Sequence, residues 1–379
     1  MRSSWVVGLT NLIAPLALAA PSTPPELEVR ACIPQGGLSL ATPKPGNETA
    51  GYIPGTSSHH AKVRGQTYHY LLAEPTSPPK GTIFLLHGIP DLSYGWRYQI
   101  PPLAKLGYRV VAPDMLGYAG TDSPCSVTHW ARKELAADMA DLIGQLVPRG
   151  QQVIVGGHDW GAGLTYKVAL WHPELVKAFF TIAIPYIPLW LGPTKEWVDM
   201  LDLVENGTFP TMGYQLQFRD EALERNVTSL AQIRSFLNGV YGGTTSDGKG
   251  AFSPQNGVDF DILDQLGPSP LVSSEDIDFY ANRFHVNGMR GPFNWYRTRR
   301  MDWEDELPFL KNGSIKYKMP VLFMPATKEP DTMPPDIWTD MGDYFESLKI
   351  QELDSNHFAH WEAADKVNEA LATWLPTLQ

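Results

Sequence analysis

Cysteine and clustered positive charge are what this chain has least of. It contains only two cysteines, and its basic residues form no cluster beyond Arg297, Arg299 and Arg300. Together with a formal net charge of -11, this argues against a surface that binds nucleic acid or an anionic membrane. After residue 20 no apolar run is long enough to span a bilayer, and no internal repeat is present. The hydrophobic content of 43% over 379 residues predicts an ordered globular protein, and we expect its partner to be small and uncharged.

The first 20 residues have the pattern of an export signal. Arg2 supplies a positive charge, residues 5–18 are mostly apolar, and residues 17–20 form a small-residue cleavage site. Asn11 and Pro15 interrupt the apolar run, which is shorter than the roughly 20 residues that a membrane-spanning helix needs. We therefore expect a signal peptide over 1–20 and a secreted protein without stable membrane insertion. An uncleaved membrane anchor is the alternative.

Sequons and cysteines agree with export. Four Asn-x-Ser/Thr sequons, more than chance predicts, begin at Asn47, Asn206, Asn226 and Asn312. We expect a glycoprotein. In an oxidising compartment the even pair Cys32 and Cys125 favours a disulfide that joins the N-terminal leader to the body of the protein. Two separate buried thiols are the alternative.

The segment Val153–Gly163 joins a β-branched run to a helix-like stretch through a glycine-flanked acid. Gly157 and Gly161 each stand two positions from Asp159. This is the spacing of a nucleophile elbow, in which a strand turns sharply into a helix and glycines let the two backbones pass closely. A carboxylate is already ionised at neutral pH and suits attack on an electrophilic sp3 carbon. The product is an ester of Asp159, so a histidine, an orienting acid and an oxyanion hole are also required.

A second glycine-containing turn precedes the elbow. The buried-strand pattern of residues 81–87 ends in His87-Gly-Ile-Pro90. In enzymes with a nucleophile elbow, a loop at the carboxyl end of a central strand supplies one backbone donor of the oxyanion hole, and the residue after the nucleophile supplies the other. The Ile89 and Trp160 N–H groups are therefore the candidate donors.

Strand-like and helix-like segments alternate through the first half of the chain. A hairpin over 61–73, with its turn at Gly65-Gln66, precedes the strand of residues 81–87. Strands then follow at 108–114, 153–158 and 178–185, and helices at 101–106, 131–147 and 164–175. This alternation predicts an α/β fold with a mostly parallel central sheet and helices on both faces.

The alternation stops at Pro185. Helix-like pieces at 196–203, 230–237 and 274–284 replace the strands, and the strand pattern resumes at 319–326 and 348–354, before a final helix at 363–375. We therefore predict a helical cap over 187–300, inserted into a core formed by 59–186 and 301–379, with an irregular arm over 21–58.

A histidine and two acids follow the last predicted strands, where such enzymes place them. Glu329 and Asp331 follow the strand that ends at residue 326, and His357 directly follows the strand that ends at 354. His360 lies further along, at the start of the closing helix. We prefer His357 as the base and expect His360 to have a structural or pocket-rim role. The acid is open between Glu329 and Asp331 at this point.

The chain from about Lys62 to Leu375 resembles the epoxide hydrolases of the α/β-hydrolase superfamily. The resemblance is carried by the motifs His87-Gly-Ile-Pro, Gly157-His-Asp-Trp-Gly, Tyr214-Gln-Leu, Arg290-Gly-Pro-Phe-Asn-Trp-Tyr-Arg and Asn356-His-Phe. It implies the α/β-hydrolase fold with an inserted cap.

The resemblance also implies roles for residues outside the elbow. Tyr214 and Tyr296, from the cap, would hydrogen-bond the epoxide oxygen and deliver a proton to it, because ring opening leaves negative charge there. The family commonly has Asp as the orienting acid, whereas this chain has Glu329 at that position, with Pro334 at the usual distance beyond it. We therefore prefer Glu329 and keep Asp331 as the alternative. Ile89 also departs from the aromatic residue that is frequent at its position.

These residues together predict an epoxide hydrolase that forms an ester at Asp159 and hydrolyses it with water. The expected partners are a small apolar epoxide and water, with no cofactor and no metal. A haloalkane dehalogenase is one alternative, although that enzyme has no use for paired phenols. The other is a secreted binding protein that has kept the fold and lost turnover.

Overall fold

The structure is a computed structural model that describes residues 49–191, 196–311, 315–328 and 341–378. Several predictions from the sequence fall outside these ranges. They concern the signal peptide and most of the irregular arm, and the site residues Cys32, Asn47, Asn312, Glu329 and Asp331.

Strands of the described residues form one large sheet and two small ribbons. Their bounds are β1 Thr49–Ala50, β2 Ser57–Val63, β3 Gln66–Ala73, β4 Thr82–Leu86, β5 Arg109–Pro113, β6 Val153–His158, β7 Val176–Ile182, β8 Trp190–Leu191, β9 Glu196–Trp197, β10 Phe252–Ser253, β11 Gly257–Val258, β12 Val321–Met324 and β13 Leu348–Ile350. The large sheet has the order β1-β2-β3-β5-β4-β6-β7-β12-β13. From β5 to β13 all neighbours are parallel, and the β1–β3 edge is antiparallel.

The α-helices of the described residues lie between these strands and after the last of them. Their bounds are α1 Ile100–Lys105, α2 Arg132–Leu146, α3 Trp160–Trp171, α4 Met200–Glu205, α5 Tyr214–Arg219, α6 Glu221–Asn226, α7 Leu230–Val240, α8 Ser274–Asn287, α9 Arg290–Asn294, α10 Arg299–Lys311, α11 Ala359–Glu362 and α12 Ala364–Trp374. None of the helices in the described ranges has the length and apolar character needed to cross a membrane.

The central strands are apolar because both of their faces are covered. All five residues of β4 are buried. Phe84 and Leu86 belong to the core cluster that contains Leu135 of α2, whereas Ile83 and Leu85 belong to the cluster that contains Leu371 of α12. Since side chains alternate along a strand, this division places one core on each side of the sheet. The predicted α/β-hydrolase architecture is confirmed.

The cap is inserted between two strands that are neighbours in the sheet. Val321 of β12 pairs with Phe179 of β7, although the helical segment separates them in the chain. The insertion therefore leaves and re-enters the core at one place, and the predicted helical insert is confirmed. The α10 helix begins at Arg299 and crosses the predicted boundary at residue 300.

Some element boundaries differ from the prediction. The hairpin turn is at Arg64-Gly65, with φ of 44° and 94°, rather than at Gly65-Gln66, because a two-residue hairpin turn of this type needs positive φ at both central residues. Strand β2 begins at Ser57, which pairs with Leu72, so regular structure starts inside the range predicted as an irregular arm.

The helix predicted over 164–175 begins earlier, at Trp160, and ends at Trp171. Pro173 explains the earlier end, because the residue before a proline is disfavoured in the helical conformation. In the segment predicted as helix over 196–203, residues 196–197 form β9 and the helix starts only at Met200.

The glycines of the elbow determine how closely β6, α3 and β4 approach. A Cβ at Gly161 would lie 2.0 Å from the carbonyl oxygen of Leu86, and a Cβ at Gly157 would lie 2.2 Å from the carbonyl oxygen of Gly161. These neighbours are backbone atoms, so no side-chain rotation relieves the clash.

We predict that Gly161→Ala destabilises the fold by about 1–3 kcal/mol or more, because the added methyl group must displace the end of β4. Gly144→Ala is the matched control, since Gly144 lies in α2 with no atom within 4 Å of an added Cβ. The control should gain about 0.5–1 kcal/mol of stability. Urea unfolding monitored by tryptophan fluorescence compares the two, and equal stabilities would refute the close approach at Gly161.

Candidate active site

Asp159 lies at the turn between β6 and α3 with a backbone conformation that few residues adopt. Its φ and ψ are 52° and -125°, and its side chain is buried with the residue 7% exposed. The residue stands at the N-terminus of α3, where the helix dipole favours a negative charge. The strand-turn-helix geometry presents the carboxylate above the carboxyl end of the sheet.

The loop after β4 holds one oxygen of that carboxylate. The Ile89 N–H donates to Asp159 Oδ1 at 2.8 Å. A Cβ at Gly88 would lie 2.2 Å from the same oxygen, so only glycine fits there. The predicted donor Ile89 therefore contacts the predicted nucleophile directly.

His87 keeps this loop in place. Its Nε2 accepts from the Met115 N–H at 2.9 Å, so the ring proton must be on Nδ1, which donates to the Gly88 carbonyl at 2.9 Å. Burial lowers the pKa of His87, which keeps the ring neutral and preserves this acceptor and donor pair. The imidazole thus links the loop after β4 to the end of β5.

His357 faces the second oxygen of Asp159. Its Nε2 lies 3.6 Å from Asp159 Oδ2, and its side chain is 25% exposed. This separation exceeds a direct hydrogen bond, and the partial exposure admits water to the ring. Because Oδ1 is bonded to Ile89, the two carboxylate oxygens have different surroundings.

The loop that carries His357 runs beside the loop after β12. Thr327 N–H donates to the Leu353 carbonyl at 2.9 Å, and Lys328 N–H donates to the Ser355 carbonyl at 2.9 Å. Lys328, the last described residue before Glu329 and Asp331, therefore lies beside the His357 loop. Those two acids lie outside the described residues.

Two cap tyrosines lie over the same space. The rings of Tyr214 and Tyr296 have centroids 6.0 Å apart at an interplanar angle of 81°. The Tyr296 ring also meets the Trp160 indole edge to face, with centroids 5.0 Å apart. Burial is the main cause that raises the pKa of Tyr296 well above its usual value, so its hydroxyl stays protonated and can donate a hydrogen bond at neutral pH.

The motif that contains Tyr296 anchors its segment at two places. Arg290 and Arg297 both pair with Glu224 of α6, at 3.0 Å and 2.9 Å. On the core side, a Cβ at Gly291 would lie 2.6 Å from the Cα of Gly117, so this position requires glycine. The charged ends and the glycine of the motif therefore position α9 and the tyrosine that follows it.

Tyr214 is positioned by the small ribbon of β10 and β11. Its N–H donates to the Pro254 carbonyl at 2.9 Å. Gln217, one turn later, donates to the Val258 carbonyl at 2.9 Å and accepts from the Val258 N–H at 2.8 Å. These contacts with the backbone of the ribbon fix the start of α5, where Tyr214 lies.

The nucleophile, the histidine and both tyrosines line one cavity of about 720 Å³. The remainder of its wall is largely apolar and includes Phe218, Val240, Phe252, Leu271 and Phe358. A second, smaller cavity of about 130 Å³ lies on the other side of Asp159 and Tyr214, which are the residues that both cavities share.

A buried hydrogen-bond network next to the site was not foreseen from the sequence. Tyr280 O–H donates to Asp91 Oδ1 at 2.7 Å, and His360 Nε2 lies 3.1 Å from Asp91 Oδ2. Tyr241 O–H donates to the Pro90 carbonyl. Tyr241 also lines the larger cavity. The only feature of the sequence that pointed to this network is the position of Asp91, directly after the His87-Gly-Ile-Pro motif.

His360 is fully buried at 0% exposure, which removes the pocket-rim role and leaves the structural one. Burial lowers its pKa well below the usual value, so the neutral ring donates from Nε2 to Asp91. Burial raises the pKa of Asp91 to about 6, because a charged carboxylate is costly away from water.

His158, directly before Asp159, supports the loop that carries His357. Its Nε2 lies 2.8 Å from the His357 carbonyl, which can only accept, so the proton is on Nε2. Asp91, His158 and His360 have ligand-type atoms within 4.8 Å of one another, the one such group found in the described part of the chain. We interpret it as a hydrogen-bond network, because His158 Nε2 and the Asp91 to His360 contact are already engaged within the protein.

Comparison with known proteins gives a consistent result. Residues 81–364 match the family model of the alpha/beta hydrolase fold. An epoxide hydrolase of Neurospora crassa is 40% identical over 320 residues, which cover 82% of this chain and 92% of that protein. The bifunctional epoxide hydrolase 2 of Rattus norvegicus is 32% identical over 78% of this chain, which spans about half of that longer relative (51%). The crystal structure of an epoxide hydrolase from Vigna radiata superposes with a TM-score of 0.70 at 26% identity and covers 86% of this chain and 99% of its own.

We predict that Tyr280→Phe destabilises the fold by about 1.5–3 kcal/mol above pH 7, because it removes a donor from a buried charged carboxylate. The pKa of folded Asp91, about 6, lies above the ordinary value of 3.8, so the folded protein takes up a proton as pH falls toward 5. A hydrogen bond from Tyr280 stabilises a neutral carboxyl less than a charged one. The loss of unfolding free energy in the variant should therefore be smaller at pH 5.

Tyr98→Phe serves as the control for this prediction, since Tyr98 is 46% exposed. Unfolding free energies of native protein and both variants at pH 5 and pH 8 make the comparison. If Tyr280→Phe loses the same unfolding free energy at both pH values, the contribution of the Tyr280 hydroxyl does not depend on the charge of Asp91.

Proposed function

Because the chain belongs to the epoxide hydrolases of the α/β-hydrolase superfamily, hydrolases that act on ether bonds, we propose that Asp159 opens the epoxide and His357 completes its hydrolysis. The main support for this proposal is the arrangement of the nucleophile and the two tyrosines. The Asp159 carboxylate, held by the Ile89 N–H, lies in the cavity that Tyr214 and Tyr296 also line.

In the first step, Asp159 Oδ2 attacks an epoxide carbon. Oδ1 is held by the Ile89 N–H, so Oδ2 is the oxygen that forms the new bond to carbon. The C–O bond of the ring breaks, its electron pair moves to the ring oxygen, and a tyrosine hydroxyl delivers a proton there. Two phenols are better than one, because the second stabilises the phenolate that remains.

In the second step, His357 Nε2 removes a proton from a water molecule that attacks the carbonyl carbon of the ester. Negative charge then develops on Oδ1, and the Ile89 N–H already points at this oxygen. The Trp160 N–H, at the first turn of α3, is the second donor that we propose. Collapse of the intermediate releases the diol as His357 returns its proton to the departing oxygen. Asp159 is left as a carboxylic acid, and its proton passes through water to the tyrosine phenolate formed in the first step, which restores both the carboxylate and the phenol.

We assign Glu329 as the acid that orients His357, with Asp331 as the alternative. The backbone bonds of Thr327 and Lys328 to the His357 loop support a carboxylate very soon after Lys328. A glutamate at the first position has the reach to approach the imidazole, since its side chain is one methylene longer than that of aspartate.

The apolar wall of the larger cavity supports a substrate whose main body is apolar. A dehalogenase is the weaker alternative, because halide release does not need the two phenols. Turnover of styrene oxide would separate an active enzyme from a binding protein that has lost turnover.

We predict that His357→Gln reacts once with an epoxide and then stalls, because Asp159 can form the ester but no base activates water. Mass spectrometry of the peptide that carries Asp159 should show the added mass of the substrate. Glu329→Gln should accumulate the same adduct during turnover, while Asp331→Asn should not.

Asp159→Asn is the control, since it lacks the nucleophile and should show no adduct. The reverse ranking of the two acid variants would assign the role to Asp331. An active native enzyme with no adduct in His357→Gln would exclude the covalent mechanism in favour of direct attack by water.

We predict that Tyr296→Phe slows adduct formation by about tenfold or more, because a lost hydrogen bond to developing charge costs about 1.5–3 kcal/mol. The double change at Tyr214 and Tyr296 should slow it much further, since no phenol then remains to supply the proton. Single-turnover kinetics in the His357→Gln background measures this step alone.

Tyr94→Phe is the matched control for the tyrosine series. Its hydroxyl donates to Asp276 at 2.9 Å and it is not among the residues that line either cavity. Native alkylation rates in the double variant would mean that the cap tyrosines only pack, and the assigned proton donors would be wrong.

We further propose that the protein is secreted, glycosylated and carries a Cys32–Cys125 disulfide. The N-terminal pattern and the number of sequons support this proposal. Asn206, Asn226 and Cys125 are all exposed, so enzymes that modify them would have access. Asn206 Oδ1 accepts from the Thr208 N–H at 2.9 Å, which engages its oxygen and not its amide nitrogen, the atom that a glycan joins.

We predict that protein made in a eukaryotic secreting host begins near residue 20 and loses mass on deglycosylation, because export would remove the signal and expose the sequons to glycosylation. Replacing Asn206 and Asn226 by Gln should remove part of that mass. Peptide mapping without reductant should join Cys32 to Cys125. An intact Met1 without glycan would refute secretion, and two free thiols would refute the disulfide.

A further inference from the structure

The smaller cavity differs from the larger one in its charge. Both begin at Asp159 and Tyr214. The smaller one is lined by three cationic side chains, Arg132, Lys167 and Arg299, and by one further carboxylate, Asp302, whereas the larger one has one further residue of each sign, Lys328 and Glu362. Apolar residues of the cap complete much of the wall, among them Met200, Phe209 and Met212. An epoxide ring held between the nucleophile and the phenol would therefore have one substituent in each cavity.

Two of the three cations are neutralised by the protein. Arg132 pairs with Asp302, which also accepts from the Arg132 N–H at 2.7 Å. Lys167 pairs with Glu306. The charges of Arg132 and Lys167 are therefore already compensated within the protein and are not available to bind an anionic ligand.

Arg299 has no such partner. Within the described residues its guanidinium makes no hydrogen bond and no ion pair, and its buried Nε has no acceptor. Asp199, whose charge acts on it from a distance, is bonded to Arg219 at 2.7 Å and to the Leu201 N–H at 2.8 Å. Burial lowers the pKa of Arg299 to about 10, so the side chain stays charged at neutral pH.

Arg299 as a whole is partly buried, but its Nε is shielded from water and has no acceptor, which is costly for a cation. The missing component is an anionic acceptor. Guanidinium groups bind carboxylates through two parallel hydrogen bonds. The cavity volume of about 130 Å³ corresponds to roughly four water molecules, enough for a carboxylate on a short linker but not for a long chain.

We propose that Arg299 binds a carboxylate on the substrate, so that the natural epoxide is an acid with a short carboxylate arm on one ring carbon and an apolar group on the other. The inference rests on the proposed function, because Asp159 and Tyr214 must hold the ring at the junction of the two cavities. It refines the apolar substrate expected from the larger cavity alone.

The test compares trans-4,5-epoxy-5-phenylpentanoate with its primary amide, which has nearly the same shape and no charge. Native enzyme should prefer the acid in kcat/KM by about tenfold to hundredfold, the usual effect of one charge-assisted contact. In Arg299→Gln this preference should disappear, and Arg299→Lys should retain part of it, because lysine keeps the charge and loses the paired geometry.

Arg300→Gln is the matched control. Arg300 is exposed and pairs with Glu304 at 2.7 Å on the outer face of α10, so this variant should keep the native ratio of acid to amide. A native ratio near one, or a ratio that Arg299→Gln leaves unchanged, would overturn the carboxylate subsite while the epoxide hydrolase assignment stands.

A binding measurement separates the two proposals completely. Titration calorimetry with 5-phenylpentanoate and 5-phenylpentanamide, which contain no epoxide, reports on the subsite without turnover. Preferential binding of the acid that is lost in Arg299→Gln supports the subsite even if neither epoxide is hydrolysed. Equal binding of acid and amide would refute it, whereas failure to hydrolyse any epoxide would refute the proposed mechanism.

Discussion

The hydrogen bond from the Ile89 N–H to Asp159 Oδ1 is the contact on which the rest of the site depends. It forms only because β4 and β6 are adjacent and in register, with Leu86 opposite Gly157. Gly161 then packs against the backbone of β4 and Gly88 against the Asp159 side chain, and no Cβ fits at either position. The close packing has a chemical consequence, because it makes the two oxygens of one carboxylate different before substrate arrives. One oxygen is bound by a backbone donor, and the other faces His357 and the cavity.

The loop that carries this donor also holds the cap. Tyr241 of the cap donates to the Pro90 carbonyl, and Tyr280 donates to Asp91, the next residue. Asp91 in turn contacts His360, close to the loop of His357. Cap position, oxyanion donor and base are therefore connected through one buried carboxylate. This connection explains how a protein can tolerate a charged group in a fully buried position: the group has a donor from each element that meets there.

Charge is distributed unequally around the nucleophile. The larger cavity is mostly apolar, whereas the smaller one is lined by three cations, of which the partly buried Arg299 has no partner among the described residues. Asp159 lies between the apolar cavity and the cationic one. A substrate with one apolar end and one anionic end would therefore bind in a single orientation. In such a site, orientation also decides which ring carbon meets Asp159 Oδ2, so regiochemistry would follow from charge as much as from shape.

The sequence by itself determined what depends on local spacing. The glycines around Asp159 require a tight turn wherever they occur, the apolar runs of β4 and β6 require burial on both faces, and the Arg290–Arg297 motif marks the cap tyrosine. The fold, the helical insertion and the residues that line the larger cavity could be predicted in this way. Whether Glu329 or Asp331 orients His357 stays a prediction, since both lie outside the described residues.

Only the tertiary structure decided what depends on contacts between distant segments. Asp91, Tyr280 and His360 have no common pattern in the chain, yet they share one buried charge. Likewise, Arg299 looks in sequence like one of several basic residues, and its lack of a partner is visible only once the carboxylates nearby are seen to be bonded to other cations. The physical reason is that burial and pairing of a polar group are set by whatever packs against it, and here those neighbours come from elements far apart in the chain.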